Sequence, residues 1–207
     1  TYVAPTGSWR GVHGPAKDPL WADPAAATLR GVHGAWADGR WIGWAVGDNG
    51  TIARYDGDAW VVVKDFAPRQ TTPLVYTFND VFVKAPDDVW IVGEVAGDRA
   101  CDGCGTMIHY DGRRFDELDR WTGFGVNGKM GALNAIDMLR DGEGQWWGWA
   151  VGDDADFDRF KAMTIRLTPE DGWKGWPATN IAKNFYDVHL VAPDDAAIEL
   201  LRQAAKV

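Results

Sequence analysis

Short apolar segments alternate with polar residues along most of the chain, and Gly and Asp turns separate them. From Leu29 the segments read LRGVHG, WIGWAVG, GTIARY and AWVVV before the pattern breaks. Alternation with a period of two is typical of strands that bury one face. Asp56-Gly57, between the last two segments, tolerates the left-handed backbone of a tight hairpin. The pattern therefore predicts four short antiparallel strands in this stretch.

This four-strand pattern recurs along the chain. A W-[AI]-V-G segment begins at Trp44, Trp90 and Trp149. The apolar segment that precedes it is found four times, with these central residues: Val32, Val81, Ile136 and Val188. Their spacing of about 50 residues is close to the length of a four-stranded propeller blade. Because such sheets bury both faces only by stacking on neighbours, we predict an all-β fold, a β-propeller of about four four-stranded blades.

The repeat divides the chain into five segments. Residues 1–28 contain one strand-like stretch and a Pro/Ala-rich spacer, and residues 29–76, 77–132 and 133–184 are predicted blades 1, 2 and 3. Residues 185–207 are a partial fourth blade followed by a short C-terminal helix, because AAIELLRQAAKV is rich in residues that favour helices. An open edge strand is a liability. We therefore expect an incomplete propeller, or one that the N-terminal strand or a partner completes.

The unit W-[AI]-V-G … G-T-[IM]-x-x-Y-D-G-x-x-[WF] resembles the repeats of the photosystem II assembly-factor type, called Ycf48-like. It is similar also to the BNR, or Asp-box, repeats of sialidase-like and secreted bacterial propellers. The resemblance covers roughly residues 29–176. An Asp-box has a residue between its Asp and its Gly, whereas Asp56-Gly57 and Asp111-Gly112 have none. Ycf48-like proteins are extracytoplasmic assembly scaffolds, so the resemblance implies a binding role.

Charge and composition narrow the range of partners. The 207 residues include 21 basic and 30 acidic side chains, which gives a formal net charge of −9. A phosphate backbone would meet a repelling field, so nucleic acid is not an expected partner. The sequence contains no apolar run of about 18 residues, the minimum for a membrane-spanning helix. We expect a protein partner or self-assembly, with a glycan as the other possibility.

The two cysteines, Cys101 and Cys104, lie in CDGCG, within the loop that lengthens the second copy of the repeat. One CxxC supplies only half of a tetrahedral zinc site, and redox motifs of this kind open a helix beside a βαβ pattern. We favour a disulfide, which forms in an oxidising compartment. The expected location is therefore extracytoplasmic, periplasmic or secreted, although residues 1–9 lack the basic and apolar regions of a signal peptide.

The loop that lengthens the third copy contains DDADFD, with alternating carboxylates at Asp154, Asp156 and Asp158. Alternating carboxylates begin a calcium-binding loop, but the turning glycine and distal glutamate of an EF-hand are missing at the required places. We favour a solvated acidic loop. Calcium bound by these oxygens and by backbone carbonyls is the one metal hypothesis that we keep, and no other cofactor is expected.

Five tryptophans lie outside the repeated W-x-V-G position: Trp36, Trp41, Trp121, Trp146 and Trp147. An exposed indole can stack on a sugar, and Trp121, Trp146 and Trp147 are the candidate ligand-binding residues. Packing between blades is the alternative for most of them.

Two sets of polar residues recur at fixed positions of the repeat. One position is shared by Arg54, His109 and Arg166, and another by His13, His33 and His189. Recurrence of this kind follows from strand geometry. We therefore interpret the first set as outward-facing strand residues and the second as repeat geometry rather than a metal site.

No catalytic residue is predicted. Ser8 is the only serine, so acyl transfer by a serine nucleophile has little support. Glycoside hydrolysis stays open on residue types, but most carboxylates lie in turns, where they cap the backbone. The primary hypothesis is a non-catalytic, extracytoplasmic propeller that binds or scaffolds a protein in a larger complex. The alternative is a glycan-binding, lectin-like propeller or a sialidase-like glycoside hydrolase.

Overall fold

The computed structural model describes residues 28–63, 75–96, 104–118, 131–153, 163–175 and 184–193. These residues form twelve strands and one short 3-10 turn. None of their helical segments is long and apolar enough to cross a membrane. The predicted N-terminal strand and C-terminal helix lie outside the described residues.

Twelve strands form three four-stranded antiparallel sheets, and in each sheet the strands are neighbours in chain order. The first sheet contains β1 (Leu29–Ala37), β2 (Arg40–Gly47), β3 (Ile52–Tyr55) and β4 (Trp60–Val62), with the 3-10 turn at Asp48–Gly50. The second contains β5 (Val75–Ala85), β6 (Asp88–Ala96), β7 (Cys104–Tyr110) and β8 (Phe115–Glu117). The third contains β9 (Leu133–Arg140), β10 (Trp146–Gly152), β11 (Met163–Thr168) and β12 (Gly172–Gly175).

The all-β class and the four-stranded units are therefore confirmed. Each sheet lies within one of the predicted segments 29–76, 77–132 and 133–184, except that β5 begins at Val75, two residues before the predicted boundary. The sheets do not close into a ring in the part of the chain that the structure describes.

The glycine that ends each W-x-V-G segment is required by a close approach between two backbones. A Cβ added to Gly93 would lie 2.1 Å from the carbonyl oxygen of Thr77, at the start of β5. The corresponding distances at Gly47 and Gly152 are 2.0 and 1.9 Å. The strand register shifts at the same place in all three sheets. Only glycine fits there, because any side chain would push the first two strands of the sheet apart.

Asp-Gly turns close the last hairpin of the first two sheets, as predicted. Asp56 Oδ1 accepts hydrogen bonds from the backbone N–H groups two and three residues later, at 2.9 and 3.0 Å. Gly57 has a φ of 102°. Asp111 and Gly112 repeat this arrangement in the second sheet. These aspartates are turn makers, and the backbone hydrogen bonds lower the pKa of Asp56.

The described residues form three apolar clusters, each between successive units of the repeat. One cluster joins Trp44 of the first sheet to Val81 of the second. Another joins Phe82 of the second sheet to Ile136 of the third, and the third cluster covers the far side of the third sheet. The second and third sheets therefore bury both faces, which stacking of amphipathic sheets requires.

Residues 184–193 lie where the first strand of a fourth unit is expected. Asn79 Nδ2 donates to the carbonyl oxygen of Leu133 at 2.9 Å, and Asn134 Nδ2 donates to that of Phe185 at the same distance. The same contact thus joins the second unit to the third and the third unit to segment 184–193. Val188 is buried against the third sheet. Segment 184–193 thus repeats these contacts, although it forms no strand beyond one bridge at Asn184, and the partial fourth blade stays a prediction.

Candidate functional site

The first strands of successive units are joined through side chains that accept hydrogen bonds from the next unit's backbone. We call β1, β5 and β9, together with the corresponding segment 184–193, which forms only one bridge at Asn184, the inner strands. His33 Nδ1 accepts the N–H of Val83 at 2.8 Å. Asp80 Oδ2 accepts the N–H of Ile136 at 2.9 Å. Asp137 Oδ2 accepts the N–H of Leu190 at 2.7 Å. Each described junction between units therefore has one such bond.

The inner-strand carboxylates also bind the backbone of their own strand. The residue that follows each aspartate donates its N–H to the Oδ1 atom, at 2.8 Å for Asp80, Asp137 and Asp187 alike. A strand edge with unsatisfied N–H groups is costly to bury. These acids satisfy that edge at each junction, which accounts for their recurrence in the repeat.

The acidic groups of different units are close enough to influence one another. Burial raises the pKa of Asp80 to about 6, and the carboxylates of Asp187 and Asp137 add to the increase, against the hydrogen bonds from the backbone. Asp80, Asp137 and Asp187 come from three different units, so carboxylates of successive units lie close enough to repel one another. The described residues include no group of three or more side chains arranged to hold a metal ion.

His33 is an acceptor only when its imidazole is neutral. Burial lowers the pKa of His33, while the charge of Asp137 acts in the opposite direction. Its ring stacks on Phe82 of the next sheet, with 4.5 Å between the ring centroids. Because an imidazolium ion has no lone pair to accept the Val83 N–H, the junction between the first two sheets depends on the protonation state of His33.

The recurring position of Arg54, His109 and Arg166 is a stacking contact. Each of these residues lies directly opposite the tryptophan of W-x-V-G in the strand register. The Arg54 guanidinium lies 5.6 Å from the ring centroid of Trp44, and the His109 ring stacks on Trp90 at 4.2 Å. All three side chains are half-buried. The outward-facing interpretation is therefore corrected, because cation–π and ring stacking hold these side chains against the sheet.

An Asp–His pair is present in the second sheet. His109 Nε2 lies 2.8 Å from Asp88 Oδ1, and Lys84 Nζ lies 2.9 Å from Asp88 Oδ2. Hydrogen bonding and attraction to these two partners lower the pKa of Asp88 against the effect of burial. Such a pair orients the base in nucleophilic catalysis. Here the imidazole belongs to the repeated stack on tryptophan, so the pair is explained by packing.

Two of the predicted sugar-binding tryptophans are held by neighbouring side chains. Trp146 packs edge-to-face on Phe82 at 6.2 Å, and Lys84 Nζ lies 5.2 Å from its ring centroid. Trp147 Nε1 donates to Asp141 Oδ2 at 2.7 Å, and the Arg166 guanidinium lies 5.5 Å from the Trp147 ring. Both rings are half-buried. Sugar stacking by these residues stays a prediction.

The remaining predicted sites fall largely outside the described residues. Cys104 begins β7, is disulfide-bonded and is 2% exposed. Cys101 lies outside the described residues, and its pairing with Cys104 stays a prediction. Trp121 and the candidate calcium ligands also lie outside them: Asp154, Asp156 and Asp158.

Among the described residues, two exposed tryptophans lie together at the hairpin between β1 and β2. Trp36 and Trp41 are 64% and 50% exposed, and their rings meet edge-to-face with centroids 5.8 Å apart. Both lie outside the repeated tryptophan position in the sequence, but neither was among the predicted ligand-binding residues. Their closeness follows from hairpin pairing, in which Trp36 is directly opposite Trp41.

The inner-strand acceptors were also missed as a set. An aspartate stands immediately before or after the aligned central residue in the second, third and fourth copies, at Asp80, Asp137 and Asp187. That placement is the signal from which they were identifiable. Alternation alone treats such residues as the polar face of a strand and does not indicate a partner about 50 residues away.

Comparison with known proteins assigns no family to the chain. No protein-family model matches it, and no curated protein is significantly similar to it in sequence. The function is therefore argued from the geometry of the described residues.

Proposed function

We propose that the protein is a non-catalytic, extracytoplasmic β-propeller that acts as a protein-binding scaffold. Three consecutive four-stranded sheets with apolar clusters between them support this architecture. The repeated bonds between inner strands support it further, because they join successive units in the same way. Blades of a propeller bury both faces by this kind of sequential stacking.

The observation that carries the binding role is the exposed pair Trp36 and Trp41. A tryptophan offers a large rigid apolar area together with an N–H donor, and it is enriched among the residues that dominate protein interfaces. The equivalent of Trp41 in the third sheet is Trp146, which is packed against the preceding sheet. Trp41 has the same place in the repeat and is half exposed to solvent, at 50%.

The polar groups of the inner strands support a role without catalysis. Asp80 and Asp137 each accept one N–H bond from their own strand and one from the next unit. A carboxylate whose two oxygens each accept a backbone N–H bond serves the fold. An oxidising, extracytoplasmic location is supported by the disulfide-bonded state of Cys104.

A glycan is the second candidate ligand, because the faces of exposed indoles also stack on sugar rings. The same pair, Trp36 and Trp41, is the observation that favours it. A glycan would bind with few residues and weak salt dependence, whereas a protein partner would cover a larger surface around the hairpin.

The two ligands are distinguished by parallel binding assays with matched variants. The immobilised chain is incubated with the secreted and envelope fractions of its source and, separately, with a glycan array read for binding and hydrolysis. We expect wild type and Val61→Ser to retain a discrete polypeptide. In Trp36→Ser and Trp41→Ser the amount retained is expected to fall by more than about tenfold. Val61 is the control because it is 54% exposed on β4.

Sugar binding that is abolished by these tryptophan variants would replace the proposal with the glycan alternative. Hydrolysis of an arrayed glycan would overturn the non-catalytic role. Retention of the polypeptide by both tryptophan variants would also contradict the assignment of the binding surface.

A further inference from the structure

One face of the first sheet is equivalent to faces that are buried between units elsewhere in the protein. The central residues of the later inner strands point toward the preceding unit and are 2%, 4% and 5% exposed at Val81, Ile136 and Val188. The equivalent residue of the first unit, Val32, is 69% exposed. We call this side of the first sheet its front face.

Trp41 shows the same difference at the outer end of the front face. Its equivalent, Trp146, packs on Phe82 and Lys84 of the preceding sheet. Trp41 is 50% exposed and contacts Trp36 of its own hairpin. An exposed valine and an exposed tryptophan at positions that are otherwise interfacial mark a docking surface.

The backbone of β1 also carries N–H groups that need hydrogen-bond acceptors. In each later inner strand, two backbone N–H groups are bound by side-chain acceptors. They belong to the central residue and to the residue two positions after it. Val32 pairs with Ala45 in the register that Val81 has with Ile91. The N–H groups of Val32 and Gly34 therefore point outward, and they have no acceptor among the residues that the structure describes. Gly31 occupies the position that is equivalent to Asp80. Because glycine has no side chain, it cannot accept the N–H of Val32 as Asp80 accepts that of Val81.

Segment 184–193, the last that the structure describes, presents the matching acceptor. Asp187 Oδ1 accepts the N–H of Val188, as Asp80 Oδ1 accepts that of Val81. Asp80 uses its Oδ2 for the next unit, whereas Asp187 is exposed and its Oδ2 has no donor within the described ranges. Tyr186 and Val191, on either side, are 60% and 67% exposed. This segment therefore offers an acceptor and an apolar surface where the front face offers donors and an apolar surface.

We propose that a second copy of the chain docks head to tail on the front face, so that Asp187 Oδ2 of one copy accepts the N–H of Val32 of the other. This inference rests on the proposed scaffold function and names a partner for the same surface. A second copy is the occupant because the same chain carries both the β1 donors and the Asp187 acceptor, and its own Val32 is still 69% exposed. Head-to-tail contacts close into a ring when the rotation allows and otherwise continue as a filament.

Two variants separate the two sides of the contact. Val32→Arg places an unpaired charge in the front face, and Asp187→Asn replaces an acceptor oxygen with a donor in segment 184–193. Each is expected to raise the dissociation constant of self-association by about tenfold or more. Val61→Arg is the matched control, since Val61 is 54% exposed on the outer strand of the same sheet.

The experiment measures the molar mass of the purified full chain by light scattering and sedimentation over a wide range of concentrations. We expect wild type and Val61→Arg to form dimers or larger species, and Val32→Arg and Asp187→Asn to stay monomeric when each is alone. A mixture of these two variants is expected to regain a dimer, because one copy retains an intact front face and the other an intact Asp187. Circular dichroism checks folding, and Val32→Ser is the milder substitute if Val32→Arg unfolds.

A wild type that is monomeric at every concentration would overturn the inference and would leave the binding of a different protein at Trp36 and Trp41 intact. Self-association that survives both variants, or a mixture that fails to recover a dimer, would also overturn the head-to-tail contact. Failure to retain any polypeptide in the binding assays, with self-association present, would instead overturn the scaffold role toward other proteins.

Discussion

At the level of single residues, chemically different side chains accept the same backbone hydrogen bond at equivalent positions of the repeat. His33 and Asp137 occupy one position, and each accepts an N–H bond from the residue two positions past the centre of the next inner strand. A carboxylate accepts in its charged form, whereas an imidazole accepts only in its neutral form. The chemistry of the junction therefore differs between units although its geometry is repeated.

His33 is expected to make the protein less stable in acid. Because burial lowers the pKa of His33 below 6.5 in the folded state, its contribution to stability is present above 6.5 and is lost as the pH falls toward the folded value. In His33→Asn the amide oxygen keeps an acceptor that does not titrate. We expect the wild type to lose up to about 1 kcal/mol per pH unit relative to His33→Asn in this range. Urea unfolding at a series of pH values measures the difference.

Val61→Ser is the control for substitution itself, because Val61 is 54% exposed and neither side chain titrates. That variant is expected to follow the wild type. Parallel pH dependence of wild type and His33→Asn would contradict a neutral, accepting His33.

At the level of strands, alternation and turn chemistry predicted the elements well. LRGVHG and WIGWAVG became β1 and β2, and the Asp-Gly turns lie where the left-handed backbone was expected. Alternation and turn chemistry did not predict why a glycine ends each W-x-V-G segment. Gly93 is required by the carbonyl of Thr77, which a register shift in the strand pairing brings to that place. Such a contact depends on three-dimensional pairing rather than on a local preference.

Gly93→Ala is expected to destabilise the second sheet. The new Cβ would meet the Thr77 carbonyl oxygen at 2.1 Å, so β5 and β6 must separate. We expect a loss of about 3 kcal/mol or more in the free energy of unfolding, at the upper end of the cost of overpacking. Chemical denaturation of the purified variant measures it.

Gly142→Ala is the control for the loss of glycine itself, because no atom lies within 4 Å of its added Cβ. Its stability is expected to stay within about 0.5 kcal/mol of the wild type. Equal stability of the two variants would show that the close approach at Gly93 is absent.

At the level of the whole molecule, three consecutive sheets and segment 184–193 bring acids from different units together. Asp80, Asp137 and Asp187 are about 50 residues apart along the chain, yet the last two raise the pKa of the first. The candidate tryptophans illustrate the same effect on apolar residues. Trp146 is covered because a sheet precedes its own, whereas Trp41 has no such neighbour in the described chain.

Asp80 is expected to oppose stability at neutral pH. Its folded pKa of about 6 exceeds the ordinary value of 3.8, so its contribution is fully present below 3.8 and is lost as the pH rises through about 6. Asp80→Asn carries no such titration. We expect its free energy of unfolding, relative to wild type, to rise by about 1–3 kcal/mol across this range. Taking the difference removes the opposite effect of His33, which both proteins share.

Asp58→Asn, an exposed change of the same charge, serves as the control for net charge in these unfolding measurements. It is expected to show no comparable rise. A constant difference between Asp80→Asn and the wild type over the whole range would contradict the buried, mutually repelling carboxylates.

The sequence by itself determined the all-β class, the four-stranded unit, its period and its turns, because these follow from alternation, β-propensity and the left-handed backbone of Asp-Gly. Only the tertiary structure decided which polar side chains bind the next unit, why glycine ends W-x-V-G, and which tryptophans remain exposed. Those properties depend on how one unit is placed against another. A periodic sequence repeats similar residues in every unit, whereas burial depends on which units are packed on either side of each one.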